Sequence, residues 1–513
     1  MTLAPGRPLT RFDRIPTPAY CGELASGVAK LPNLLLIMSD QHRADLLGCA
    51  GDPGVLTPHI DRLASEGVRF SRVVCQGPLC MPARASFLTE RYVRDHGVYT
   101  NWAEIPPGVP TYVNALRETG YHTAMLGKAH LYRDDGHGAR HVDELSGRLR
   151  SLGFDDVFET GDKFPGDTPN RYTDVLDRLG FLPAYRRHIA DRSYQGTNES
   201  GRGATKSVPM WDSTPLPIPL SAYIDTWHGD EAVRWVESYD RDKPFFLFVG
   251  FPGPHDPWDA PREAVERYAE IDVSMPRSTR RPQLDGTGAY GRLLRAFSNL
   301  SDTDTMSEGA IRAMRRSYCA DVTVIDDAVG RTLAALEAKG VLDETWVLYT
   351  SDHGEMGGDH GLMSKCVLYG PSVRVPLILR PPGGCAPGVV SDLVEHLDVP
   401  ATMRAIASAP DVPGSDGRSL LGYVHGDPTE ERAVAISENW GFAVFETRRY
   451  KLVVDEDNRS ACQLFDLADD PNEDDDRLAD PSYGAVVEEL MSTFVEPFLA
   501  TAPARPHPSP FTG

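Results

Sequence analysis

Four segments of this chain share one hydropathic pattern, an apolar run of strand length that stops at ionisable residues. "NLLLIMSD" ends at Asp40, and "HTAMLGKAH" runs to Lys128 and His130. "PFFLFVGFPGPHD" leads to His255, and "TWVLYTSDHGE" reaches Asp352 and His353. Between them lie stretches with helical period. The clearest sets Ile311, Met314, Tyr318, Val322, Ile325, Val329, Leu333 and Leu336 on one face, with Gly340 as the stop. Apolar strands alternating with helices predict an α/β fold, a large and mostly parallel sheet sandwiched by helices. Ligands of such sheets collect beyond the carboxyl ends of the strands. Four strands therefore aim Asp, Lys/His, His and Asp/His at one edge, and that convergence points to a site more firmly than any single motif.

The pattern changes elsewhere along the chain. Residues 1–30 read as a Pro-containing N-terminal extension, and residues 31–409 as the main domain. Within it, about 134–220 is a polar insertion rich in Gly, Pro and Asp, with one helical piece, "YTDVLDRLGFLPAYRRHIADR". A second insertion covers about 260–305. Insertions of this kind beside an active edge shape substrate pockets. Residues 410–500 read as a small C-terminal α+β subdomain of antiparallel strands followed by a helix, and 501–513 as a Pro-rich tail. The acidic run "DDPNEDDDR" reads as a solvated loop. "DDGHGARH", from Asp134 to His141, has no defined metal-site spacing and reads as a substrate-side loop.

Composition narrows the function classes. The 513 residues are 41% hydrophobic and 25% charged, as in ordinary soluble proteins, and the net charge is -22. That charge argues against nucleic acid or an anionic membrane as partner. An anionic substrate would need a local positive pocket. No apolar run reaches membrane-spanning length, and the N-terminus lacks the apolar core of a signal peptide. Cysteines at 21, 49, 75, 80, 319, 366, 385 and 462 form no metal-type CxxC pair. The expectation is a reduced, cytoplasmic protein without a disulfide framework.

The stretch "GPLCMPARASFLTERY" sharpens the chemistry. Pro82 favours the first turn of a helix, which puts Cys80 at a helix N-terminus where negative charge is favoured. Arg84 and Arg91 can add cationic contacts to an oxyanion there. A small buried thiol beside a helix start fits the same residues. Asp40 and Asp352, taken singly, fit helix N-caps; as a pair at one sheet edge they fit metal ligation better. His255, taken alone, fits a loop histidine.

In sequence, "CMPAR" followed by "ASFLTER" resembles the Cys-x-Pro-x-Arg signature of the type I sulfatases, in the alkaline phosphatase superfamily. "LLLIMSDQHR", "GKAH", "GPHDPW", "YTSDHGEMGGDHGLMSK" and "LFDLADDPNEDDDRLAD" follow the family's order, so the resemblance covers roughly residues 33–480. It implies that a separate formylglycine-installing enzyme oxidises Cys80 to an aldehyde that hydrates to a geminal diol. One hydroxyl attacks sulfur and expels the alcohol, and the second collapses the hemiacetal to free sulfate. Asp40, Gln41, Asp352 and His353 match the metal-ligand positions. Their oxygens suit Ca²⁺ first and Mg²⁺ next, and the histidine also admits Mn²⁺. Lys128 and His130 match sulfate-binding positions, and His255 and Lys365 the pair flanking the leaving-group oxygen. Asn101 and the "DQ…DH" metal set lean towards the choline sulfatase and phosphonate monoester hydrolase branch, whereas "GKAH" is sulfatase-like. "LTER" departs from the usual "LTGR" at Glu90. The resemblance thus implies a sulfatase acting on a small sulfate ester. The alternatives are a phosphonate monoester or phosphodiester hydrolase, a non-catalytic binding relative, and an unoxidised thiolate nucleophile. Large sulfatase relatives often associate, which leaves room for a homo-oligomer.

Overall fold

Successive side chains of the first apolar run enter different cores. Leu34, Leu36 and Met38 pack on one side of the sheet and Leu35 and Ile37 on the other, all essentially inaccessible. Burial on both faces is why the run has no polar positions. The computed structural model describes residues 30–132, 141–163, 168–192, 208–209, 211–281, 288–300, 306–427, 431–501 and 503. The N-terminal extension, most of the Asp134–His141 stretch and most of the C-terminal tail lie outside them.

The strands in chain order are β1 (Asn33–Ser39), β2 (Val68–Phe70), β3 (Val73–Val74), β4 (His122–Gly127) and β5 (Asp156–Glu159). They continue with β6 (Phe245–Phe251), β7 (Thr345–Ser351), β8 (Leu377–Arg380), β9 (Gly388–Val390) and β10 (Val394–Glu395). Eight form one sheet in the order β5-β4-β6-β1-β7-β8-β2-β9, while β3 pairs with β10. The first five run parallel, and β8 runs against both neighbours. Helices Pro58–Ser65, Ile224–Ser238 and Glu308–Lys339 cover one face; Cys80–Thr89, Tyr112–Glu118 and Asp398–Ile406 cover the other. The expected α/β sandwich is therefore the observed fold. The periodicity read over 311–336 falls within the helix Glu308–Lys339. It is capped by the Ser307 hydroxyl, which accepts from the Ala310 amide, and it stops at left-handed Gly340.

Two local expectations need correction. The single helical piece over 172–192 is two helices, Arg171–Arg178 and Leu182–Arg192, because Gly180 between them takes a positive φ of 77°. The acidic run is not simply solvated. Glu473 is buried, accepting from the Lys451 ammonium at 2.8 Å and from the Gly370 amide, and so supplies the countercharge that buried lysine needs.

The chain ends in a four-stranded antiparallel sheet, β11 (Ala435–Asn439), β12 (Phe442–Glu446), β13 (Tyr450–Asp455) and β14 (Ser460–Asp466). Phe442, Val444, Val453 and Phe465 join the core of the main body. Ala443, Phe445, Leu452 and Val454 pack instead under Leu490, Val495 and Leu499 of the last helices. Among the described residues, no helix is long and apolar enough to cross a membrane, and the seven cysteines are free thiols.

The unusual Glu90 has a structural explanation. It ends the helix Cys80–Thr89 in the left-handed region, φ 56°, where glycine is the easy choice. Its buried carboxylate binds Arg404 in bidentate fashion at 2.6 and 2.7 Å and also accepts from Ser415. This ties the helix end to Asp398–Ile406 and offsets a backbone cost of about 1–2 kcal/mol. Arg404→Ala strands a buried carboxylate, so we expect a destabilisation of about 3–5 kcal/mol in urea titration. Glu90→Gly, which removes the strain together with the charge, is expected to cost less.

Candidate active site

The carboxyl ends of the five parallel strands are nearly level: Ser39 pairs with Phe251 and Ser351, and Gly127 with Glu159 and Gly250. The residues that follow therefore meet at one edge. Gly127 and Gly250 let β4 and β6 close up there. A Cβ on Gly127 would lie 2.0 Å from the Gly250 carbonyl, and one on Gly250 would lie 2.3 Å from that of Lys128.

At the centre is Cys80, the first residue of the helix Cys80–Thr89, all ten of whose residues are buried. Leu79, preceding it, has no side chain that can cap. Asn101 does that work from a distance, its Oδ1 accepting from the Met81 amide at 3.0 Å. The Cys80 sulfur lies 3.1 Å from His353 Nε2 and 3.7 Å from Asp40 Oδ1. Burial alone would raise the thiol's pKa. Lys365, Lys128 and His353, with a hydrogen bond from His130, instead hold it well below the usual thiol range.

Arg84, one turn on, knits the site together. Its Nε donates to Asp352 Oδ2 at 2.7 Å, Nη2 to Asp40 Oδ2 at 3.2 Å and Nη1 to the Lys128 carbonyl at 2.8 Å. Arg91 does not join it. It lies at the far end of the helix, donating to the Pro413 carbonyl, so the expectation that it supports an oxyanion fails. The reason is distance, since two further turns of helix separate the two arginines.

Asp40, Asp352, His353 and Cys80 place their donor atoms within 4.8 Å of one another. His353 Nδ1 donates to the Gly354 carbonyl at 3.0 Å, so Nε2 is the ring nitrogen that faces the cluster; burial opposes protonation of the ring, but Asp352 and Cys80 outweigh it and raise its pKa. Burial opposes ionisation of Asp40, yet Lys128, His255 and Arg84 keep it well below the ordinary carboxylate range. Asp352 is pushed up, first by burial and then by Asp40. Two buried carboxylates set against each other, with an imidazole nitrogen alongside, fit a hard or borderline divalent cation. Gln41 packs against the same cluster. Its amide donates to Asp352 Oδ1 at 3.0 Å, while its side-chain oxygen accepts from Lys365 and its Nε2 donates to Glu355.

Lys128 is fully buried between two carboxylates, 2.5 Å from Asp40 Oδ2 and 2.6 Å from Asp162 Oδ2. The Lys365 ammonium meets His255 Nε2. His255 Nδ1 donates to the Asp256 carbonyl at 2.6 Å, which leaves Nε2 turned into the site. Burial and Lys365 lower the His255 pKa. Asp162, Asp256 and Asp40 outweigh them and lift it to about 9. His130 adopts a left-handed backbone, φ 51°.

Apart from Arg91, the residues anticipated from sequence lie around or beside Cys80: Asp40, Gln41, Arg84, Asn101, Lys128, His130, His255, Asp352, His353 and Lys365, ten in all. Three others were not anticipated: Asp162, Asp256 and Glu355. The rule that exposed them was already in use, because Asp162 follows the end of β5 as Lys128 follows β4. Asp40, Asp162, Asp256, Asp352 and Glu355 here face Arg84, Lys128 and Lys365, with the His255 ring beside them.

The chain matches the family described as "Sulfatase" over residues 32–409, and "N-sulphoglucosamine sulphohydrolase, C-terminal" over 358–497. It is 30% identical to "Choline-sulfatase" of Rhizobium meliloti (strain 1021), covering 90% of this chain and 85% of that one. It is 29% identical to "Multifunctional alkaline phosphatase superfamily protein PehA" of Trinickia caryophylli, covering 89% and 93%. Among solved structures, the phosphonate monoester hydrolase of Agrobacterium radiobacter superposes with a TM-score of 0.73 at 25% identity, covering 90% of this chain and 95% of that one.

Proposed function

This chain belongs to the sulfatase family, and on that premise we propose that it hydrolyses a small sulfate monoester at Cys80, after conversion of that residue to formylglycine. The observation that carries the reading is the shell around the sulfur. Lys128, Lys365, His130 and His353 surround it at a helix N-terminus, a pocket built for a tetrahedral oxyanion inside an acidic protein. The hydrated aldehyde supplies two hydroxyls on one carbon, one to attack and one to release the sulfate afterwards. Asp40, Asp352 and His353, with Gln41 beside them, would hold a divalent cation, most suitably Ca²⁺, which lowers the pKa of the attacking hydroxyl and polarises the ester.

The chain's own groups do the rest. Arg84 fixes both metal-side carboxylates, so their orientation is set before substrate arrives. Lys128 and Lys365 neutralise the sulfate oxygens. His255 presents Nε2 beside Lys365 and protonates the departing alkoxide. This role predicts a leaving-group dependence. His255→Asn should slow an alkyl sulfate about 10²–10⁴-fold and a nitrophenyl sulfate far less, because nitrophenolate leaves without a proton. Steady-state kcat for the two esters checks it.

A second reading, a phosphonate monoester or phosphodiester hydrolase with the same machinery, is favoured by the Asp-Gln and Asp-His pairs and by the likeness to the Agrobacterium enzyme. Turnover of an aryl sulfate, a phosphonate monoester and a phosphodiester by one purified sample ranks the two. Sulfate as the slowest of the three would overturn our choice.

A further inference from the structure

We infer that Asp162 makes this site selective for esters whose leaving group is neutral or cationic, and that it excludes leaving groups bearing a second negative charge. The inference rests on the sulfatase reading above. Lys128 is held between Asp40, which is wholly buried, and Asp162, whose side chain is 19% exposed. The other carboxylates of the cluster, Asp256, Asp352 and Glu355, are buried. Asp162 is therefore the carboxylate on the open side of the lysine, where the remainder of an ester must lie once its sulfate faces Cys80.

That carboxylate is fixed in place. Its Oδ1 accepts from the Lys163 amide at 2.7 Å. The Lys163 side chain is buried and anchored to Asp321 at 2.7 Å and to the Tyr223 hydroxyl at 2.8 Å, while the Tyr185 hydroxyl donates to its carbonyl at 2.7 Å. Upstream, the Gly161 amide donates to Glu159 at 3.0 Å. An ordered loop of this kind keeps the Asp162 charge where it is when an anion approaches. The same charge bears on His255, the residue placed at the leaving-group oxygen.

The permanent cations of the site, Arg84, Lys128 and Lys365, are buried with the reacting sulfate. A substituent on the leaving group meets Asp162 instead, within the field of a chain of net charge -22. A bare unit charge at about 7 Å and an effective dielectric near 20 would shift the ratio well over tenfold; the Lys128 ammonium paired with Asp162 cancels part of this, which leaves an expected preference of about tenfold against a second anion and for a cation.

The test uses two aryl sulfates that differ only in a ring carboxamide or carboxylate, with kcat/KM for each divided by its uncatalysed hydrolysis rate. The wild type should prefer the carboxamide about tenfold or more, and the preference should shrink as salt is raised. Asp162→Asn and Asp162→Ser should both bring the ratio towards one, whatever each does to the absolute rate. A ratio unchanged in both variants overturns the inference. Failure of the wild type to turn over either sulfate counts against the sulfatase reading alone, because the same pair made as phosphonate monoesters reads the ratio equally well.

Discussion

Cys80→Ala is expected to abolish turnover, with kcat falling about 10⁴-fold or more, while the protein remains folded. The size of the effect follows from the geometry. In the proposed mechanism every other group in the site binds, orients or transfers a proton, and none could replace the atom that attacks sulfur. Among the described residues the thiol's close polar contacts are with His353, Asp40 and His130, all through one small sulfur, so its removal should cost little stability. Urea denaturation separates this outcome from simple unfolding. Mass spectrometry of the peptide spanning Gly77–Tyr92, taken from the native host, checks the chemistry. We expect the mass loss that accompanies exchange of a thiol for an aldehyde. A fully active preparation carrying only the thiol would refute the formylglycine proposal and favour a thiolate nucleophile, which alkylation would then block.

Chelation of divalent cations should stop turnover and lower the melting temperature together. Asp352 is pushed above its ordinary pKa by burial and by Asp40, so the metal-free site holds an unfavourable charge arrangement. A cation present at about 100 times its Kd adds about 2.7 kcal/mol of stability, all of it lost on chelation. Scanning calorimetry before and after chelation reads the stability and a turnover assay the function. Adding back Ca²⁺, Mg²⁺ and Mn²⁺ in turn identifies the ion that restores both. In Asp352→Asn the melting temperature should no longer respond to the ion. A chelated sample free of metal by elemental analysis, yet unchanged in activity and melting temperature, would exclude the metal role.

Much of this site was legible because the fold converts a one-dimensional signal into a place. Apolar runs ending at Asp40, Lys128, His255 and Asp352 sit on strands that run parallel and stop level, so their successors have to meet. The fifth strand escaped notice because "DVFE" lies at the sheet edge, with one face only partly covered, and shows no apolar run. Its successor, Asp162, was lost with it. Asn101 was legible by position, but its contact with the Met81 amide is tertiary and leaves no local trace. Glu90 was visible as an anomaly, yet its partner Arg404 is more than 300 residues away. Gly180 carried a break signal that the flanking helical periodicity obscured.

A helix buried on every residue also fixes an order of events. Cys80 is inaccessible to any second protein once the catalytic body has closed around Cys80–Thr89. Under the proposed conversion, the modifying enzyme would have to capture the segment while the chain is still open, making maturation a race between oxidation and folding. Chains that folded first would be trapped as the thiol. The active fraction of a preparation would then record how fast the host modifies nascent chains rather than how well the protein folds, and overproduction without extra modifying enzyme would yield well-folded but inactive material.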